Sequence, residues 1–103
     1  IKYQIIVPFY NDFENFKKFI EIIEEIPYED NLFILVDNGS KNNNIVDFSN
    51  EKNSLKKNWK VVRSNNNLGF GGGVKYGVLN SDAEYVSWMP GNLKLDPKDV
   101  FNF

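Results

Sequence analysis

Short unbroken apolar runs alternate along the chain with stretches in which apolar residues recur every three or four positions. Tyr3 to Val7 is a run closed by Pro8, and it reads as a first strand because proline ends a hydrogen-bonded ladder. From Asp12 the period changes. Phe13, Phe16, Phe19, Ile20, Ile23 and Ile26 alternate with Glu14, Lys17, Lys18, Glu21 and Glu24, the pattern of an amphipathic helix ending near Pro27. Asp12 is placed to cap that helix by accepting from free amides of its first turn. Leu32 to Val36 is a second run, rich in aliphatic and β-branched residues, and reads as a strand buried on both faces, as in parallel sheets. It stops at Asp37-Asn38-Gly39-Ser40. Ligands of open α/β sheets gather outside the carboxyl ends of strands, so an acceptor there, followed by an Asn-Gly turn, is well placed to touch one. The same four residues are also ordinary turn chemistry.

The stretch from Lys41 to Asn58 is rich in Asn and Lys, with Ile45, Val46, Phe48 and Leu55 as its anchors, and predicts a loop carrying one short helix. Trp59 to Arg63 reads as a third strand. Asn67-Leu68-Gly69-Phe70-Gly71-Gly72-Gly73 follows, leading into a helix over Val74 to Leu79. Glycines there let backbone approach a ligand or let a helix pack tightly on a sheet, and both readings fit. The spacing is not that of a phosphate loop, since no Lys-Ser or Lys-Thr follows it. Glu84 to Met89 predicts a fourth strand, then Pro90-Gly91-Asn92, and Asp96-Pro97 opens a further helix. Strand and helix therefore alternate, as in an α/β sandwich with a mostly parallel sheet and helices on both faces.

Composition narrows the chemistry. At 103 residues, 42% hydrophobic and 25% charged, residues 1–103 fit one domain that is short for a complete α/β enzyme, hence a truncated one. A formal net charge of −2 argues against nucleic acid as partner, because such proteins need clustered positive charge. With no Cys and no His there is no thiolate or imidazole chemistry, and carboxylates, amides and backbone must serve. No apolar stretch approaches the ~20 residues that span a bilayer, so the expected location is cytoplasmic, with any membrane association peripheral.

Val7-Pro8-Phe9-Tyr10-Asn11, Val36-Asp37-Asn38-Gly39-Ser40 and Asn67-Leu68-Gly69-Phe70-Gly71, with Gly77 ahead of the fourth strand, together resemble the N-terminal half of a family 2 glycosyltransferase. The resemblance runs from Tyr3 to about Pro97. It implies the Rossmann-like nucleotide-binding half of a GT-A fold, with sheet order 3-2-1-4, in an enzyme that takes a nucleotide-diphosphate sugar as donor and a saccharide or lipid-linked acceptor. It places Pro8 and Tyr10 against base and ribose, with Asp37 accepting a hydrogen bond from the base. Asn11, Asn38, Asn92 and the amides of Gly69, Gly71 and Gly72 complete the candidate nucleotide site, and Pro8, Tyr10, Asp37 and Gly69 are expected to share one pocket.

Two departures follow. Where the family carries an Asp-x-Asp pair that holds Mg²⁺ or Mn²⁺ on the diphosphate, this chain has Pro90-Gly91-Asn92, which leaves glycine amides and Lys75 or Lys94 to face the phosphates. The family's catalytic base lies beyond Phe103, so none is named here. A non-catalytic nucleotide-sugar binding or scaffolding module is the alternative. The fourth strand is expected at a sheet edge, with Val86 and Trp88 partly uncovered or hidden by a second copy of the chain in a homodimer.

Overall fold

The computed structural model describes residues 3–26, 32–52, 58–94 and 97. Within them, strands β1 (Tyr3–Phe9), β2 (Phe33–Asn38), β3 (Trp59–Ser64) and β4 (Tyr85–Trp88) alternate with helices α1 (Phe13–Ile23), α2 (Asn44–Glu51) and α3 (Gly69–Leu79). All three ladders are parallel and the order is β3-β2-β1-β4. This is the α/β architecture and the order expected from the sequence, although β1 runs on through Pro8, opposite Val36, to Phe9 instead of closing at the proline. The helix expected to start at Asp96, and the anchor Leu55, fall outside the described residues.

Alternation along the strands sorts the core into two layers. Ile5, Val7 and Phe9 of β1 point to the same side as Phe33 and Leu35 of β2 and Trp59 of β3, where they meet Phe16, Phe19, Ile20 and Ile23 of α1 and Ile45 of α2. Ile6, Ile34 and Val36 point to the other side, against Tyr76 of α3. The two layers are built differently. On the first, phenylalanine rings fill the space between helix and sheet, Phe9 meeting Phe16 edge-on at 5.4 Å and Phe19 at 5.7 Å. On the second, α3 lies directly on the strands through glycine. A Cβ on Gly77 would fall 2.3 Å from Ile6 Cγ2, and one on Gly73 would fall 3.1 Å from Pro8 Cβ.

Helix boundaries differ from the sequence reading in two places. α3 begins at Gly69, so Gly71, Gly72 and Gly73 are helical rather than a loop; each costs about 1 kcal/mol of helix propensity relative to alanine, and packing on the sheet carries the helix instead. α1 ends at Ile23, and the chain continues to Ile26 in a tightened turn, with Ile26 N donating to Ile23 O at 3.0 Å. Glu24 and Glu25 oppose the helix dipole there, and buried Asn58 donates its amide to the carbonyls of Ile23 and Ile26 at 2.6 and 3.1 Å. The Asp12 carboxylate does not cap α1; it accepts from Asn15 Nδ2 at 2.9 Å.

β4 forms the open edge beside β1, as expected, with Val86 half-buried and Trp88 60% exposed. Among the described residues no helix is long and apolar enough to cross a membrane.

Candidate functional site

Parallel strands deliver all their carboxyl ends to one rim, and the chain order reverses at β1, which has β2 on one side and β4 on the other. A recess of about 180 Å³ opens at this point. One wall is the β1 end and the segment after it, Pro8, Phe9, Tyr10 and Asp12; the other is the segment after β4, Pro90, Gly91 and Asn92, with Phe70 of α3 between them. Tyr10 and Phe70 are 40% and 49% exposed, so neither ring is buried by the fold. A space lined by three aromatic residues, Phe9, Tyr10 and Phe70, and by two prolines suits a flat apolar group. Its polar reach is modest: the Asp12 carboxylate, and Asn92, whose Oδ1 accepts from Lys94 N at 3.1 Å.

Behind the recess, hydrogen bonds tie three strand ends together. Asn11 holds a positive φ of 50°, and its N donates to Ser40 Oγ at 3.0 Å while its Oδ1 accepts from Lys41 N at 2.7 Å. The loop that carries Tyr10 is thereby fixed to the turn after β2. That turn is organised by Asp37, which is fully buried and accepts from Ser40 N at 3.1 Å. Its second oxygen lies 3.4 Å from Arg63 Nη1 and receives no hydrogen bond among the described residues. The same guanidinium donates to Ser40 O at 3.0 Å and to Asn43 Oδ1 at 2.8 Å, so β3 grips the turn after β2.

Asn38 does equivalent work on the opposite face. Only 2% exposed, it donates to Gly69 O at 2.9 Å and Asn67 Oδ1 at 3.4 Å and accepts from Leu68 N at 3.2 Å. Asn67 Oδ1 in turn accepts from Gly69 N at 2.9 Å. The first turn of α3 is therefore positioned from β2. Asn38→Ala should leave the Leu68 N–H and the Gly69 carbonyl without these partners and cost about 1–3 kcal/mol, read as a lower urea midpoint with an unchanged m-value; a midpoint shift near zero would mean that water replaces the amide.

Of the residues singled out from the sequence, Pro8, Tyr10 and Asn92 line the recess. Asp37 and Gly69, expected to share one pocket with Pro8 and Tyr10, are not among its lining residues: Asp37 is sealed in its turn, and Gly69 is tied to Asn38. Asn11 and Asn38 hold loops in place. Gly71 and Gly72 sit in the first turns of α3, where a Cβ on Gly71 would meet open space and one on Gly72 would meet Leu68. Lys75 and Lys94 are exposed. Phe70, Asp12 and the Arg63 clamp were not assigned to the site by sequence reasoning; the aromatic inside a glycine run was the available signal for Phe70.

The sequence pattern of glycosyl transferase family 2 matches residues 4–100. No curated protein matches the chain. Among solved structures, the chain is similar to residues 1–349 of S. aureus TarS, with a TM-score of 0.72 and 20% identity over 89% of this chain and 28% of that one. It is also similar to a longer S. aureus TarS structure, with a TM-score of 0.69 and 20% identity, covering 89% of this chain and 17% of that one. A third match is TarS 1–349 in complex with UDP, with a TM-score of 0.62 and 22% identity, again over 89% and 28% of the two chains. The chain thus spans less than a third of these relatives. At such identity the likeness establishes the fold, and it is the sequence pattern running through both walls of the recess that decides the family: the chain belongs to glycosyl transferase family 2.

Proposed function

We propose that the chain is the donor-nucleotide-binding part of an inverting glycosyltransferase that passes a sugar from a nucleotide-diphosphate sugar to the hydroxyl of a saccharide or lipid-linked acceptor. The observation that carries this reading is the place of the recess. It opens between β1 and β4 at the carboxyl rim, the switch point where open α/β sheets bind their ligands. Tyr10 and Phe70, both exposed, are the rings on which a nucleobase would stack, and Pro8 lines the same recess. Asp37 is fully buried, with Oδ2 3.4 Å from Arg63 Nη1, and does not line the recess, so its part is to hold the turn behind it. Inverting transfer also needs a carboxylate to take the acceptor's proton. Asp12 lines the recess, but Asn15 engages its Oδ2, and we assign that base to no residue of this chain.

Titration calorimetry with UDP, the nucleotide bound to TarS in one of the similar structures, tests the reading. Stacking of a base on an aromatic side chain is worth about 1–3 kcal/mol, so Tyr10→Ala should weaken UDP about fivefold or more while the melting temperature holds. Tyr85→Ala, on the exposed edge strand, should leave affinity unchanged. Equal affinities for the Tyr10 variant and the parent chain, or no binding of UDP and GDP at all, would sink the proposal.

A further inference from the structure

Resting on that nucleotide reading, we infer that the chain binds its nucleoside diphosphate without a divalent cation held by the loop after β4, where the family resemblance implies an Asp-x-Asp pair to hold one. Hard cations such as Mg²⁺ and Mn²⁺ are held by one or two carboxylates together with phosphate oxygens. The three residues of this loop supply none. Pro90 carries no side-chain donor. Gly91 cannot gain one, because a Cβ there would fall 2.3 Å from Cε1 and 2.5 Å from Cζ of Phe9. Nor can the ring step aside: Phe9 is 3% exposed and wedged edge-on against Phe16 and Phe19.

Asn92 has a neutral carbonyl oxygen, and that oxygen already accepts from Lys94 N at 3.1 Å. The bond closes a tight turn in which Leu93 holds a φ of 63°, so turning Asn92 toward a cation would give up the contact that supports this backbone. Asp12 brings one carboxylate to the recess from the other wall, with Oδ2 engaged by Asn15. Among the described residues no three of His, Cys, Asp and Glu gather into a metal-holding group. The loop is thus more than a pair of lost acids. Its middle residue interlocks with the aromatic core, and its third is committed to its own turn, so the wall it forms meets a ligand by shape and apolar contact.

The test titrates UDP into the chain in EDTA and again in millimolar Mn²⁺, and titrates Mn²⁺ into the free chain. The expected dissociation constants agree within about threefold, and the free chain takes up no Mn²⁺; tightening by about tenfold or more in Mn²⁺ overturns the inference. Pro90→Asp combined with Asn92→Asp should create a Mn²⁺ dependence of about tenfold, whereas a folded double variant that stays indifferent would show that this loop does not face the diphosphate, which also overturns it. Should UDP bind under neither condition, the nucleotide reading falls by itself. That outcome takes the inference with it, and it is distinct from binding that needs Mn²⁺, which overturns the inference and leaves the nucleotide reading standing.

Discussion

Replacing Phe16 by alanine is expected to lower the unfolding free energy by about 3–5 kcal/mol, the usual cost of emptying a buried aromatic site. The ring is fully buried. It stands edge-on to Phe9 at 5.4 Å and to Phe48 at 5.7 Å, and is stacked near Phe13 at 6.2 Å, so it joins β1, α1 and α2. No backbone shift closes such a hole cheaply, because Phe9 on one side of it is buried in the sheet and held edge-on by Phe19 as well. Small domains have about 5–15 kcal/mol in total, so the variant should melt far below the parent chain. It should also bind ligand more weakly, since loosening Phe9 loosens a residue that lines the recess. Urea denaturation measures the first effect and calorimetry the second; a loss under about 1 kcal/mol would mean that α1 does not rest on the sheet through this ring.

Gly39→Ala comes second in size and acts at the rim. Gly39 has a φ of 74°, and a Cβ would fall 2.3 Å from the carbonyl carbon of Asn66 and 2.4 Å from Asn67 N. Left-handed backbone costs an L-residue about 1–2 kcal/mol. Pressing a methyl into main chain adds about 1–3 kcal/mol, because main chain cannot rotate aside like a side-chain tip. The two sum to roughly 2–5 kcal/mol. The displaced segment carries Asn67, which caps Gly69, so the change should reach α3 as well. Gly71→Ala is the matched control: its Cβ meets open space, and the substitution should hold stability or raise it by up to about 1 kcal/mol. Similar melting temperatures for the two variants would contradict this account of the turn.

The strands were readable because a parallel strand covered on both faces is an uninterrupted apolar run, and Ile5 to Val7 and Phe33 to Val36 are such runs. Their order was not written in periodicity; it came with three motifs in sequence that resemble one family. Helix ends were harder. Nothing local announces that Gly69 to Gly73 is helical, since glycine is a poor helix former and the stabilising contacts lie across the layer on Pro8, Asn38, Ile6 and Val36. Asn58 read as part of an Asn-rich loop, yet it closes the end of α1 from a distant position. The candidate site divides in the same way. Pro8, Tyr10 and Asn92 were legible as residues at or just past strand ends, whereas the sealing of Asp37 depends on Arg63 from the neighbouring strand. Phe70 enters the recess only because Gly73 and Gly77 fix which side of α3 meets the sheet.

The position of β4 has a consequence for the order of assembly. β1, α1 and β2 are neighbours in both sequence and space, but β4 must return to β1 from far along the chain: Ser81 hydrogen-bonds to Gln4 across 77 residues, and Met89 N donates to Ile6 O at 3.0 Å. Closing so long a loop costs conformational entropy before any contact forms, and non-local parallel pairings zip up late. The ladder gained at the end is short, since β4 has 4 residues. Both walls of the recess meet only when this last strand has docked, so an intermediate lacking it has no cleft to offer. A molecule bridging Tyr10 and Asn92 would therefore recognise the finished sheet alone, and by mass action it would act as a clasp on the seam that closes last and opens first.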